Sequence, residues 1–346
     1  MTQPPDLSAL AEAFRKWGEA ENVRLQSPLM AHLAQVVAHD GDLLALAAEA
    51  PPNQPKPNLL FSAVHDLILA GTRHPLAEHY ASVGGTLGPA GSDAPFRDFC
   101  MENREAIRAT LSTRMVQTQV VKRAVCLLPS FAHVFADGGT APLTMIEVGC
   151  SAGLIMQWDR FHYDFGKGTT WGNPSSALSL TTEVRGRAFP ALPAEIPVAW
   201  RRGVDLNPLD PTDPREMRWL RALTWPEDNA RRDELGRAIA IARATPPTLV
   251  RGDAVEIVPA LIADAPAGTT VCAYAPFSMY QFPPSVLEAF LRALREASRV
   301  RPIALLRMDE AGIDSAVDLT WFNAGTVSTR RLVECNAHGK WLTWVG

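Results

Sequence analysis

The stretch Leu143-Thr-Met-Ile-Glu-Val-Gly-Cys-Ser-Ala-Gly-Leu154 constrains the fold of this chain more than any other. Leu143 to Val148 is a short apolar run bounded by Ala141-Pro142 before and Gly149 after. Such a run reads as a strand buried on both faces, the kind that belongs in a parallel sheet. Gly149 to Gly153 offers a tight turn of small residues, and Leu154 to Phe161 resumes at helical spacing with Leu154, Trp158 and Phe161 on one stripe. The predicted unit is strand, small-residue turn, helix. It aims free backbone N–H groups and a positive helix end at whatever lies above the strand.

Around this unit the chain divides by pattern. Residues 1 to about 140 read as helices: Leu7 to Val23, Leu29 to Ala38 behind a Ser27-Pro28 start signal, Asp42 to Ala50, and Leu59 to Leu69. Two long helices follow, over about Pro95 to Leu111 and Thr113 to Ala136. Ala50 to Asn58, with four prolines, is an extended connector, and Gly84 to Gly91 is a loop. From 141 to 346 strands and helices alternate, which implies a parallel sheet covered by helices. Strands are expected at Val198 to Asp205, Thr248 to Val250, Thr270 to Ala275 and Pro302 to Met308, with helices over Ala254 to Ala263 and Pro284 to Val300. Val317 to Phe322, Ser328 to Glu334 and Lys340 to Val345 alternate with period two across hairpin turns at Asn323-Ala-Gly325 and Asn336-Ala-His-Gly339, so the sheet should finish antiparallel.

Composition narrows the partners. A net charge of −4, with arginines in separated pairs, argues against a protein held to nucleic acid by phosphate contacts. The five cysteines are odd in number and lack C-x-x-C spacing, so neither a disulfide framework nor a cysteine zinc site is expected, and the histidines do not cluster as metal ligands. No apolar run approaches a membrane span and no secretory leader is evident, so a cytoplasmic location is expected.

The chemistry follows from where acids fall. In an open parallel sheet, ligands sit beyond the carboxyl ends of the strands. Gly149, Ser151 and Gly153 would let a ligand approach the first turn; Asp205 would accept two ribose hydroxyls; Asp253 would accept an adenine amine; Glu147 would pair with a ligand ammonium or orient the loop. Three acids at three successive strand ends resemble the class I methyltransferase fold, a Rossmann-like sheet that binds S-adenosylmethionine. The resemblance rests on Glu147-Val-Gly-Cys-Ser-Ala-Gly153, Gly203-Val-Asp-Leu-Asn-Pro208, Arg251-Gly-Asp-Ala254 and Tyr274-Ala-Pro-Phe277. It implies S-adenosylmethionine as cofactor, held by Glu147, Gly149, Ser151, Gly153, Asp205, Leu206, Asp253, Ala254 and Ala275, with a small-molecule acceptor. Tyr274 and His338 are the candidate catalytic groups. The roughly 20 residues expected between glycine turn and ribose acid are exceeded, so an insertion carrying Trp171-Gly-Asn-Pro174 must lie between them.

The chain also resembles a bacterial family known only as a domain of unknown function (DUF2332-like). Here the carriers are Glu147 to Leu154, Asp159-Arg160 with Tyr163, Trp171-Gly172, Asp205 to Asp210, Trp219 to Pro226, Arg251-Gly-Asp253 and His338-Gly-Lys-Trp341. Where that family has Gln-Thr-Asn-Glu near the end of its helical part, this chain has Gln117-Thr-Gln-Val120, and Ile155 replaces an Asn.

Two other readings compete. Gly149-Cys-Ser-Ala-Gly153 is a literal G-x-S-x-G, and Asp309 and His338 follow in the order of a serine hydrolase triad. Against it, Glu147 would oppose an oxyanion. A non-catalytic binding or scaffold protein on the same fold is the third.

Overall fold

The computed structural model describes residues 7–25, 27–311 and 314–346, the side chains of 21–25 excepted. Its contacts divide the chain into two units. One comprises residues up to Thr118 together with Pro214–Asp233, and the other Gln119–Asp213 with Glu234–Gly346. This differs from a single boundary near 140, for a physical reason at each end. The helix Ala124–Asp137 packs on the sheet, and the helix Pro214–Ala222 packs on the helical unit.

The helical unit contains α1 (Ser8–Leu25), α2 (Pro28–Ala38), α3 (Gly41–Ala48), α4 (Lys56–Leu69), α5 (Asp93–Glu102) and α6 (Arg104–Thr113). The expected helix over Pro95 to Leu111 is broken at Asn103, which leaves helical geometry at φ −105° and ψ 19°. Aromatic rings fill the core: Phe14 meets Phe61 edge-on at 5.8 Å, and Trp17 meets Trp225 at 5.5 Å. The Ser27 hydroxyl does not cap α2. It donates instead to Glu227 at 2.8 Å, and the other oxygen of that carboxylate accepts the Leu29 N–H at 2.8 Å. Asp66 pairs with Arg218 at 2.9 Å. His65 is fully buried between the Ala222 carbonyl and the Ser82 hydroxyl, and burial pulls its pKa down to about 4.

In the second unit α7 (Ala124–Asp137) precedes β1 (Leu143–Val148). The strands that follow are β2 (His162–Asp164), β3 (Thr170–Gly172), β4 (Ser179–Thr181), β5 (Glu183–Arg185), β6 (Val198–Asp205), β7 (Leu249–Arg251), β8 (Thr270–Pro276), β9 (Ile303–Ala311), β10 (Asp314–Asn323), β11 (Thr326–Cys335) and β12 (Trp341–Trp344). Between them run α8 (Pro214–Ala222, assigned to the helical unit), α9 (Asn229–Ala244), α10 (Ala254–Ala263) and α11 (Pro284–Ala297).

Nine strands form one mixed, mostly parallel sheet in the order β5-β12-β11-β10-β9-β8-β1-β6-β7. The strands from β7 to β9 are parallel, and β10, β11 and β12 return antiparallel as the hairpin turns predict. Every residue of β1 is buried. Ile146, Val148, Val204, Ala273 and Ala275 face α10 and α11 in one apolar cluster. The alternate residues face the other way, where Tyr274 meets Phe131 of α7 edge-on at 5.2 Å. The chain leaves β1 towards β6 and β7 on one side and returns to β8 and β9 on the other. That reversal is the switch point at which open α/β sheets form a crevice.

The connection from β1 to β6 departs from expectation. Ile155–Arg160 is a pair of short 3-10 turns kinked at Gln157, not an α-helix. The insertion behind it folds as a three-stranded sheet, β3-β2-β4, whose Trp171 stacks on Trp158 of the 3-10 segment at 5.7 Å. It then lays β5 against β12 at the far edge of the main sheet.

Candidate functional site at the carboxyl end of the central strand

The turn after β1 is built on left-handed backbone, with φ of 73° at Gly149, 49° at Ser151 and 65° at Gly153. Serine tolerates that region poorly, so its conformation needs outside support. The support comes from β6. The Gly149 and Cys150 N–H groups donate to the Val204 carbonyl at 2.8 and 3.2 Å, and the Ser151 N–H donates to Asp205 Oδ2 at 2.8 Å. The other oxygen of Asp205 accepts the Asn207 N–H at 2.8 Å. Cys150 and Met156 pack onto Gly203, where a Cβ would lie 2.7 and 2.8 Å from their sulfurs. The turn donors expected to face a ligand are therefore directed at β6, and the short 3-10 turns that follow supply no long helix dipole.

Glu147 faces the α7 side and is completely buried. Its Oε2 accepts the Tyr274 hydroxyl at 3.1 Å, while Oε1 has no hydrogen-bond partner among the described residues. Burial pushes its pKa up to about 8; the Tyr274 bond works against this, and the nearby Asp205 charge adds to it. Gln119 lies beside the same turn. Its amide donates to the Cys150 carbonyl at 2.8 Å, and its own buried Oε1 lacks a partner among the described residues. Gln119 belongs to an extended segment that replaces the start of the expected helix over Thr113 to Ala136. The family position in the Gln117 to Val120 motif was the one sequence signal for this contact. Ser278, which carried no signal, covers Gly149: a Cβ there would lie 2.3 Å from the serine Cβ.

The remaining candidates fall into two groups. Leu206 is 66% exposed at the tip of β6, although it is a leucine, and its carbonyl accepts from Arg251 at 3.2 Å. Asp253 is exposed and caps α10 by accepting the Val255 N–H at 2.8 Å; Ala254 opens that helix. The Gly252 N–H donates to the Asp205 carbonyl at 3.0 Å, which ties the tips of β6 and β7 together. Tyr274 and Ala275, by contrast, are fully buried within β8, so neither side chain presents itself to an acceptor. Gly153 is covered by Leu249, Pro247 and Met156.

For the hydrolase reading, Ser151 has the strained φ of a nucleophile elbow, and His338 lies in the β11–β12 turn, where Arg123 donates to the Ala337 carbonyl at 3.0 Å and to that of Pro276, at the end of β8, at 3.4 Å. Asp309 sits on β9, paired with Arg307 at 3.2 Å and pushed up to about 6 by burial.

These features define an α/β protein whose central strand ends in a serine-containing glycine turn gripped by an aspartate of the neighbouring strand. The chain belongs to the family described as "Uncharacterized protein conserved in bacteria (DUF2332)", whose model matches residues 11–344. No curated protein and no solved structure matches it. Among the described residues, no helix is long and apolar enough to cross a membrane.

Proposed function

We propose that the sheet unit binds an adenosyl nucleoside, S-adenosylmethionine, at the carboxyl end of β1, β6 and β7, and that the protein is a methyltransferase acting on a small or medium-sized acceptor. The strand order β7-β6-β1-β8-β9, with its reversal at β1, agrees with a Rossmann-like, methyltransferase-type sheet. The observation that carries the reading is Leu206: an apolar side chain left 66% exposed, adjacent in sequence to Asp205. An exposed leucine beside a carboxylate suits the face of a purine and the hydroxyls of its ribose.

The residues fit the nucleoside half of such a ligand. Each oxygen of Asp205 accepts a backbone N–H, which fixes the carboxylate at the tip of β6 where the ribose would lie. Leu206 and Ala254 supply apolar contact, and the exposed Asp253 would accept an exocyclic amine. S-adenosylmethionine would supply an electrophilic methyl group, and the contribution of these residues would be proximity and orientation. No group in this region is assigned as the catalytic base.

Thermal-shift and calorimetric titration with S-adenosylmethionine and S-adenosylhomocysteine test the reading. Ligand at about 100 times its dissociation constant would add roughly 2.7 kcal/mol of stability, lost in Leu206→Asp. No shift at millimolar ligand would overturn it.

A further inference from the structure

At the end of the sheet opposite the glycine turn, α7 stops at Asp137, and Gly138, Gly139 and the left-handed Thr140 (φ 62°) lead the chain into β1. A cleft of about 980 Å³ opens there, between the end of α7, the starts of β8 and β9, and the tip of the β10–β11 hairpin. Strand alternation sorts the hairpin residues. Trp321 pairs with Ser328 and Asn323 with Thr326, so all four share one face, and all four line the cleft. Phe322, between them, joins the core on the other face. The strand neighbours of Trp321 are Ala304 and Ser328, two small side chains that leave its half-buried indole uncrowded. The edge of the indole is fixed: Nε1–H donates to Asp137 Oδ2 at 3.4 Å, and the same oxygen accepts from Arg330 at 2.7 Å.

We propose that this cleft binds a short oligosaccharide, with one pyranose ring stacked on Trp321. The class of ligand follows from which groups around the indole remain unused. Among the described residues, the Asn323 amide, the Ser328 hydroxyl and Oδ1 of Asp137 make no hydrogen bond. The cations are engaged: Arg330 holds Asp137, and Arg301 donates to the carbonyls of Ala265, Pro266 and Thr269 at 2.8, 3.0 and 2.7 Å. What meets a ligand is thus an indole ringed by a hydroxyl, an amide and one carboxylate oxygen. The negative face of an aromatic ring attracts the C–H face of a sugar, and the surrounding groups pair with its hydroxyls at the rim. A charged ligand would find no unpaired partner here. The volume lies at the upper end for ligand pockets, which suits several linked rings better than a lone monosaccharide. Because Asp137 holds the indole in place, little ordering is left for binding to impose.

The test is saturation-transfer difference NMR on the full chain with cellotriose, maltotriose and chitotriose, three probes that differ in linkage and substitution, and with adenosine as a flat, base-bearing competitor. At least one trisaccharide should receive saturation at its ring C–H protons. Trp321→Ala should abolish the transfer, and Trp321→Phe, which keeps an aromatic face, should retain part of it. Asn323→Ala alters an exposed side chain that makes no hydrogen bond within the fold, and it should weaken binding about five- to tenfold, the worth of one hydrogen bond. This variant keeps the test decisive if Trp321→Ala fails to fold. Leu206→Asp, at the other end of the sheet, should leave the sugar signal unchanged, so the cleft and the nucleoside site fail separately. No transfer to any of the three at millimolar concentration, a signal that survives Trp321→Ala or is unmoved by Asn323→Ala, or displacement of the sugar by adenosine would overturn the proposal.

Discussion

The backbone N–H of Ser151 donates to Oδ2 of Asp205 at 2.8 Å, and this bond ties a left-handed serine to the tip of the neighbouring strand. Asp205→Ala leaves the Ser151 and Asn207 donors without their acceptor and should cost about 1–3 kcal/mol. Asp205→Asn keeps one carbonyl oxygen and should cost less. Urea denaturation of both variants measures the difference; equal losses would mean that the charge, not the acceptor geometry, matters.

Glu147 makes stability depend on pH. Its folded pKa, about 8, lies above the ordinary 4.5, so between these values the folded chain keeps a proton that the unfolded chain has released. Stability from this group is complete below pH 4.5 and falls as pH rises towards 8. Glu147→Gln keeps an acceptor for Tyr274 and does not titrate. Relative to wild type, the variant should gain up to about 1.4 kcal/mol per pH unit across that window and nothing below it. Melting the two proteins at pH 4, 6 and 8 reads this directly, and a constant difference would assign the titration elsewhere.

Gly149 meets two separate penalties on substitution. Gly149→Ala brings a Cβ to 2.3 Å from that of Ser278 and forces alanine to φ 73°, the latter alone costing about 1–2 kcal/mol. Adding Ser278→Gly removes the clash and leaves the backbone cost. The double variant should therefore recover part, not all, of the stability lost, as measured by chemical denaturation.

In the helical unit, Glu227→Ala removes the carboxylate that accepts from Ser27 and Leu29, and it should cost about 1 kcal/mol, the worth of a helix cap. Hydrogen exchange at Leu29 should accelerate, while Leu43, whose N–H donates to Asp40 of the next helix, should be unaffected.

Much of this architecture was legible in the sequence because burial leaves a pattern. β1, β6, β8 and the terminal hairpins match runs whose period and turn residues specify them. What escaped prediction depends on distant partners. Ser27 carries the composition of a cap, yet the cap is Glu227, two hundred positions later. Leu154, Trp158 and Phe161 are spaced for a helix and all are buried, but Gln157 breaks the turn and only a 3-10 segment forms. At the site, the acids could be read as strand-end residues, while their engagement could not. Asp205 accepts backbone donors, Asp253 caps a helix and Glu147 is sealed beneath Tyr274; these are properties of the turn and the packing rather than of spacing.

The insertion between β1 and β6 has a kinetic consequence. It reaches across the sheet to place Glu183 against Trp341 before returning beside β1. During synthesis the middle of the chain thus waits for its last strand, and β5 has nowhere to dock until residues 341–344 have left the ribosome. A sheet closed by contacts so remote in sequence pays its loop-closure entropy late. Its assembly should accordingly be slow and concerted at the end, with β5 among the last parts to become protected.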